Sequence, residues 1–225
     1  MQKRLTIKDI ISQNLYFFIP YFVFLAAGAV TLYLIDKGDA VIWFNEHHDA
    51  FYDNFFYYSS MVGKGIIFGY FLLFLGIIRF RYLLIGLSTF LGSGLVAQIL
   101  KHLFKEPRPK AFFENFGAFS LVEGISVYSS LSFPSGHTTA GFSIFIFFSL
   151  ITKYKPAGLI YFLCAASIGL SRIYLVQHFL IDVYFGSIVG TFISIMIYQI
   201  YKNNKIDDAK WFNYSLINKL KFYRS

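Results

Sequence analysis

The chain has 225 residues, of which 56% are hydrophobic, 21% are aromatic and only 14% are charged. A soluble domain usually carries about 25% charged residues, so the composition excludes an ordinary soluble protein and indicates a membrane protein. The net charge is +8, but basic residues flank membrane spans and set their orientation, so we do not expect nucleic-acid binding.

Six apolar runs along the chain are candidates for membrane-spanning helices, since a bilayer core of about 30 Å needs about 20 apolar residues per helix. They cover about residues 15–35, 59–78, 82–100, 138–152, 157–175 and 179–201. The first run is longer than the apolar part of a signal peptide, so we interpret it as a retained helix. The fourth is short, and we expect its helix to begin earlier, within residues 134–137. The sequence therefore predicts an all-α fold, a bundle of six transmembrane helices in one domain, residues 1–225.

The loops between the runs differ in charge, and this difference predicts the orientation in the membrane. The N-terminus, the turns at 79–81 and 153–156 and the tail from Lys202 are basic, whereas loop 36–53 is mostly acidic. Because short basic segments stay in the cytoplasm, we predict that both termini are cytoplasmic. Loop 101–137 is then outside although it is basic, and a functional role explains that exception better than topology does.

Two flanking segments are candidates for the membrane surface. Within the outer loop, four phenylalanines recur at helical spacing: Phe112, Phe113, Phe116 and Phe119. They predict either a short amphipathic helix on the membrane or a loop packed against the bundle. The tail, about residues 202–225, mixes aromatic and basic side chains, and we expect a cytoplasmic interfacial helix there rather than a protein-binding site.

Two cations follow the third run, namely Lys101 and, seven residues later, Arg108 of an Arg-Pro pair. Lysine offers phosphate a point charge, and arginine offers it a two-pronged fork. Without the other motifs, Lys101 and Arg108 would also be explained as cations at the membrane interface that contact lipid headgroups. Lys64, between two glycines near the outer end of the second run, either extends to the membrane interface or contacts a substrate headgroup.

The tetrapeptide Pro134-Ser135-Gly136-His137 stands just before the fourth run. A helix N-terminus has unpaired N–H groups and a partial positive charge, so it binds anions. Ser135 adds a hydroxyl, Gly136 lets the backbone approach a ligand closely, and His137 is placed to protonate a leaving oxygen. Alone, the motif also fits an ordinary helix cap with a histidine at the interface.

The third motif is Ser171-Arg172, followed after five residues by His178 and after three more by Asp182. If the sixth helix begins near His178, Asp182 lies one turn further along the same face. A carboxylate there holds one imidazole nitrogen and leaves the other as a nucleophile. The alternative is a structural His–Asp pair, although a carboxylate within the membrane usually marks a function.

The order and spacing of the three motifs resemble the signature of the type-2 phosphatidic acid phosphatase superfamily, membrane lipid phosphatases that share an active site with vanadium haloperoxidases. All signature positions are filled, within residues 101–182. The resemblance implies that His178 is a nucleophile forming a phosphohistidine, that Asp182 orients it and that His137 is the general acid. It implies that five residues bind the phosphoryl oxygens: Lys101, Arg108, Ser135, Gly136 and Arg172. It also implies no metal and no other cofactor, because fixed cations stabilise the transition state.

The expected function is hydrolysis of the phosphate or pyrophosphate of a membrane lipid at the outer, periplasmic face of a bacterial inner membrane. Candidate substrates are undecaprenyl pyrophosphate, lipid A phosphate, phosphatidylglycerophosphate and phosphatidate. We expect the lipid and the bilayer as partners, with no obligate protein partner. Two alternatives remain, a lipid phosphotransferase using the same phosphohistidine and a non-enzymatic lipid transporter. His47-His48-Asp49 is a weak metal-site candidate, and we interpret it as a solvated loop.

Overall fold

The computed structural model describes residues 4–215, and within that range the chain forms helices and turns without a β-strand. The helices are α1 (Ile7–Ser12), α2 (Leu15–Leu34), α3 (Asp39–Glu46), α4 (Ala50–Val62), α5 (Gly65–Ile78), α6 (Phe80–Phe104), α7 (Pro109–Phe112), α8 (Gly136–Ile151), α9 (Ala157–Tyr174) and α10 (Leu180–Asn203). The predicted all-helical class is confirmed.

The long helices correspond to the six predicted apolar runs, but two of them differ from simple spans. Four helices of the described chain, α2, α6, α9 and α10, are long and apolar enough to cross a bilayer. The second predicted run is broken, because α4 and α5 meet at Gly63 and Lys64 with a bend of 55°. Helix α8 has only 16 residues, beginning at Gly136. The chain is thus a multi-pass membrane protein, and the count of six spans stays a prediction.

Helix α8 lies at the centre of the bundle, packed against α6, α9 and α10. Its contact with α10 depends on glycines: a Cβ added at Gly190 would lie 2.4 Å from the carbonyl oxygen of Thr139. Likewise, a Cβ at Gly186 would lie 2.9 Å from the carbonyl oxygen of Ser135. Small residues let two helix backbones approach this closely within a membrane. The contact brings the start of α8 next to the start of α10, where the second and third motifs lie.

One end of the bundle, here called the motif end, carries the second and third motifs at the starts of α8 and α10. The segments that connect the helices at the motif end are folded onto the bundle. Val41 of α3 is fully buried and packs in one cluster with Ile173, Val176 and Phe179, which surround the third motif. At the opposite end, the backbone N–H of Leu5 donates a hydrogen bond of 2.7 Å to the side chain of Asn203. The first and last described segments therefore lie at the same end of the bundle, away from the motifs.

The phenylalanine-rich stretch does not form the predicted amphipathic helix. Helix α7 ends at Phe112 after four residues, and a single 3-10 turn, Phe116–Ala118, follows. Phe113, Phe116 and Phe119 pack against the buried cluster that contains Val41 and Phe179. The alternative, a loop packed against the bundle, is what the structure shows, because this cluster offers the rings an apolar surface within the protein.

The described part of the tail also differs from the prediction. After α10 the chain forms a 3-10 turn, Lys205–Asp208, and then places Phe212 in a buried cluster with Leu72, Ile85 and Phe147. This segment is therefore packed against the bundle rather than forming a separate interfacial helix. Residues 216–225 of the predicted tail lie outside the described residues.

The orientation of the bundle is open to a direct test. Asn115 at the motif end and Lys153 at the opposite end are both exposed. In a Cys164→Ser background, a cysteine at Asn115 should react with a membrane-impermeant thiol reagent in intact spheroplasts, whereas one at Lys153 should react only after lysis. Labelling in the reverse pattern would place the motif end in the cytoplasm and contradict the prediction.

Candidate active site

Backbone and side-chain hydrogen bonds join the three motifs at one end of the bundle. The backbone N–H of Ser135, in the second motif, donates to the carbonyl oxygen of Asp182, in the third, at 3.0 Å. The ammonium group of Lys101, at the end of α6, donates to the carbonyl oxygen of Ser132 at 3.2 Å. Residues that lie up to 81 positions apart along the chain thus share one site, as the resemblance of the three motifs to one signature implies.

His178 and Asp182 form the predicted pair at the start of α10. His178 Nδ1 lies 3.3 Å from Asp182 Oδ2, and both side chains are almost completely buried. The same carboxylate oxygen accepts a hydrogen bond of 3.0 Å from the backbone N–H of Phe179. The side-chain partners of the ring, Asp182 and Ser132, both lie against Nδ1. The carboxylate therefore holds one ring nitrogen, which leaves Nε2 as the nitrogen that can face a ligand.

Ser132 is a third member of this group that the sequence analysis missed. Its hydroxyl donates to Asp182 Oδ2 and lies 3.3 Å from His178 Nδ1. The side chain is fully buried. Ser132 precedes the Pro-Ser-Gly-His motif by two residues, and only the fold of the loop turns it toward the carboxylate, so no spacing rule could have identified it.

The surroundings of His178 favour its neutral form. Burial lowers the pKa of this imidazole well below its ordinary value, and the positive charges of Arg108, Lys101 and Arg172 lower it further. With Nδ1–H directed at Asp182, the lone pair is then on Nε2. A neutral imidazole with a free lone pair is the form that acts as a nucleophile.

Arg172 is buried in the last turn of α9, and its guanidinium is fixed from two sides. One terminal nitrogen donates to the hydroxyl of Ser60 in α4, and the other donates to Gln177 Oε1 at 3.2 Å. Its Nε–H is buried without a partner within the described residues. A buried donor of this kind is usually satisfied by a partner, and an anion next to Arg172 fits that requirement.

Arg108 is held over the same site by the loops on either side. Its Nε donates to the carbonyl oxygen of Ser130 at 2.9 Å, and a terminal nitrogen is 3.3 Å from the carbonyl oxygen of Gln177. Burial lowers the pKa of Arg108, an effect that the charge of Asp182 opposes. Within the described chain, no carboxylate lies within 4.0 Å of the cationic nitrogens of Lys101, Arg108 or Arg172. Three cations without an ion-pair partner form a site for an anion.

Gln177 is the second residue that the sequence analysis missed. Its side chain accepts from Arg172 and donates to the carbonyl oxygen of Ser126 at 2.9 Å, while its backbone carbonyl accepts from Arg108. One residue thus sets the position of both guanidinium groups. It stands directly before His178, inside the five-residue spacer that the motif leaves unspecified.

The start of α8 carries the remaining predicted residues. Ser135 caps the helix, and its Oγ accepts a hydrogen bond of 2.9 Å from the hydroxyl of Thr138. A Cβ at Gly136 would lie 3.8 Å from Cε of Lys101, so the backbone here is close to that cation. His137 lies beside the break between α4 and α5, because a Cβ at Gly63 would be 3.3 Å from its Cδ2. The exposed Lys64 follows in that break, at the edge of the site.

The weak metal candidate is separate from this site. His47 stacks on Trp43 with ring centroids 4.7 Å apart, and His48 Nδ1 lies 3.8 Å from Asp53 Oδ2. Among residues 4–215 there is no group of three or more metal-ligating side chains.

The chain belongs to the PAP2 superfamily, whose sequence model matches residues 81–206, more than half of the chain. It is 31% identical over 115 residues to the lipid A 1-phosphatase of Rhizobium etli. The aligned residues make up 51% of this chain and 48% of that protein. It is 32% identical over 109 residues to the lipid A 1-phosphatase of Rhizobium johnstonii, 48% of this chain and 43% of that protein. The alignment spans about half the length of these curated relatives.

Two crystal structures are similar over most of their length. LpxE of Aquifex aeolicus superposes with a TM-score of 0.64 at 28% identity, covering 72% of this chain and 94% of LpxE. A PAP2-type phosphatidylglycerolphosphate phosphatase of Bacillus subtilis superposes with a TM-score of 0.62 at 22% identity, covering 87% of this chain and 97% of that one. The second likeness, at this identity, shows the shared fold alone.

The position of Ser132 predicts a measurable contribution to turnover. Ser132→Ala removes a hydrogen bond to a buried carboxylate, and such bonds contribute about 1.5–3 kcal/mol. We expect kcat for a phosphate ester to fall by roughly 10–100-fold with little change in KM. Ser132→Thr, which keeps the hydroxyl, should retain more activity, and Ser130→Ala, at an exposed position in the same loop, should be close to wild type. Wild-type kcat in Ser132→Ala would show that the hydroxyl does not position the His–Asp pair.

Proposed function

We propose that the chain is a metal-independent phosphatase that hydrolyses the phosphate or pyrophosphate of a membrane lipid through a phosphohistidine on His178. The observation that carries the proposal is the state of this imidazole: Nδ1 lies against Asp182 at 3.3 Å, and the charges of Lys101, Arg108 and Arg172, which have no carboxylate partner within residues 4–215, act on the ring. This combination supplies both a nucleophile and a binding site for the phosphoryl group that it attacks.

In this proposal the cations and the start of α8 bind the phosphoryl oxygens. Lys101, Arg108 and Arg172 supply fixed positive charge, which stabilises the charge that develops in the transition state. The backbone N–H groups at Gly136 and beyond point out of the helix N-terminus, where anions bind favourably. The Ser135 hydroxyl hydrogen remains free to donate, since its oxygen is the acceptor in the helix cap.

The first chemical step transfers the phosphoryl group to the protein. Nε2 of His178 forms a bond to phosphorus while the bond from phosphorus to the lipid oxygen breaks. Burial and the charge of Arg172 lower the pKa of His137, and the negative charge of the bound phosphate group opposes this effect and favours the protonated ring. In this proposal the protonated His137 then donates its proton to the leaving oxygen. The phosphorylated imidazole carries positive charge, which the carboxylate of Asp182 stabilises through the hydrogen bond from Nδ1.

The second step releases the phosphate. A water molecule attacks phosphorus, and the neutral His137 takes its proton. The bond from phosphorus to Nε2 breaks, which returns His178 to its neutral form and leaves inorganic phosphate and a dephosphorylated lipid. If a lipid or sugar hydroxyl took the place of water, the protein would be a phosphotransferase, and no inorganic phosphate would form.

Among the candidate substrates we favour a lipid A phosphate. The two curated relatives are lipid A 1-phosphatases, and both alignments exceed 30% identity. Undecaprenyl pyrophosphate, phosphatidylglycerophosphate and phosphatidate have the same reacting group and form the comparison panel. Lys64 is the proposed contact to the headgroup, because it is exposed in the α4–α5 break beside His137. We place the site at the periplasmic face of a bacterial inner membrane.

The phosphohistidine is the decisive intermediate to look for. After brief reaction with radiolabelled lipid phosphate and a denaturing quench, the wild-type protein should carry label that is stable in base and lost in acid. His178→Gln should carry none and should lose turnover by at least a factor of roughly 10⁴, as expected when a nucleophile is removed. Release of inorganic phosphate should persist in EDTA.

Three outcomes would contradict this function. Substantial turnover in His178→Gln would show that another group is the nucleophile. An absolute requirement for a divalent cation would replace the proposed role of the three fixed cations. Phosphate release only in the presence of an added hydroxyl acceptor would favour the phosphotransferase.

The role of His137 predicts a dependence on the leaving group. Loss of a general acid typically costs about 10²–10⁴-fold in rate, so His137→Ala should slow the hydrolysis of lipid phosphates by that factor. An aryl phosphate, whose leaving oxygen needs no proton, should be affected much less. The measurement compares kcat for the two substrates in wild type and variant, and equal losses on both would argue against His137 as the acid.

A further inference from the structure

Apart from the candidate active site, the motif end of the bundle carries a concave site, the aromatic cavity. It has a volume of about 510 Å³ and lies between α3, α4 and the end of α9. Its lining consists of aromatic rings and two imidazoles: Trp43, Phe44, Tyr52, Phe56, Tyr174, His47 and His48. Phe56 and Tyr174 are buried and form its floor, whereas Trp43 and Tyr52, which are 56% and 46% exposed, form its rim.

The walls of the aromatic cavity hold one another in place. The ring centroids of Phe56 and Tyr174 are 4.5 Å apart, and Phe44 contacts both at 6.3 and 6.1 Å. Trp43 is stacked on His47. A preformed, aromatic-lined cavity is the kind of site that binds organic cations, because ring faces attract an ammonium group.

The charge around the aromatic cavity also favours a cation. Asp53 accepts a hydrogen bond of 2.6 Å from the hydroxyl of Tyr174 in the cavity floor and lies 3.8 Å from His48 at the edge. The acidic residues of loop 36–53 outnumber its single lysine: Asp36, Asp39, Glu46, Asp49 and Asp53. That lysine, Lys37, is paired with Glu106 at 2.9 Å, outside the loop. The carboxylates near the cavity are therefore not neutralised by Lys37.

An apolar cavity of about 440 Å³ adjoins the aromatic cavity and shares Trp43 and Phe44 with it. It extends along α2 as far as Phe24, with Leu180 of α10 on the opposite side. Phe24 stands ten residues before Leu34, the end of α2, which is about 15 Å at 1.5 Å per residue. That is about half of a bilayer core of about 30 Å. The apolar cavity thus has the depth of one leaflet, which fits the acyl chain of a lipid.

We propose that the two cavities together bind one bilayer phospholipid with an ammonium headgroup, such as phosphatidylethanolamine or phosphatidylcholine. The ammonium group lies in the aromatic cavity near Asp53, and an acyl chain lies in the apolar cavity along α2. This site is separate from the one around His178, whose cations select an anionic group. The bound lipid braces α3, which packs through Val41 against Val176 and Phe179 on either side of His178.

The test uses the fluorescence of Trp43, which is independent of catalysis. The chain has two tryptophans, so Trp211→Phe leaves Trp43 as the only one. In nanodiscs, phosphatidylcholine with brominated chains should quench Trp43 at a mole fraction roughly two- to thirty-fold lower than phosphatidylglycerol with the same chains, the range expected from cation–π attraction. In each titration the rest of the nanodisc is unbrominated lipid of the other class. Brominated phosphatidylcholine is thus diluted into phosphatidylglycerol, and brominated phosphatidylglycerol into phosphatidylcholine.

Variants in α4 provide matched controls. Tyr52→Leu removes a ring from the rim and Asp53→Asn removes the carboxylate, and each should reduce the preference for phosphatidylcholine. Tyr52→Phe should keep it. Tyr58→Leu, at an exposed tyrosine of α4 outside the cavity lining, should also keep it.

The comparison of lipids on the Trp211→Phe protein decides the proposal even if a cavity variant fails to fold. Equal quenching by the two lipids would mean that Trp43 only contacts bulk lipid, and the proposal would be wrong. A preference for phosphatidylglycerol, or for an amine-free glycolipid, would assign the cavities to another occupant and also overturn it. Because no turnover is measured, these outcomes do not depend on whether the proposed phosphatase activity is correct.

Discussion

The arrangement of the site depends on one buried carboxylate. A charged side chain inside a membrane protein is costly unless its surroundings satisfy it, and Asp182 is satisfied by Phe179, Ser132 and His178. Its own backbone carbonyl accepts from Ser135. A single residue at the start of α10 therefore fixes the imidazole, the loop before α8 and the relative position of the second and third motifs.

This set of contacts requires two helix starts to be close together, and the glycines of α10 make that possible. Gly186 and Gly190 lie against the backbone of α8, where any side chain would collide with Ser135 and Thr139. Within the bilayer, apolar surface gives little preference for protein over lipid, so close backbone packing must select the partner helix. The close packing of α8 on α10 therefore also fixes the positions of the site residues at the starts of these two helices.

The sequence predicted the helical class, the joining of the three motifs and the spacing that puts Asp182 one turn after His178. It missed Ser132, Gln177 and Ser60, because their contacts are made across loops or between helices and follow no periodic pattern in the sequence. The phenylalanine stretch was predicted in two ways, and helical spacing alone could not decide between them. The buried surface around Val41 and Phe179 decided it, and that surface exists only after α3 has folded over α9.

The break between α4 and α5 lies next to two groups of the site at once. Ser60, in the last turn of α4, accepts a hydrogen bond from Arg172. Gly63, directly after α4, has no room for a side chain, because a Cβ there would lie 2.7 Å from Ile168 and 3.3 Å from Cδ2 of His137. The bend of 55° therefore lies where the chain meets both a guanidinium and an imidazole, so a change in the angle between α4 and α5 would move the neighbours of both groups together.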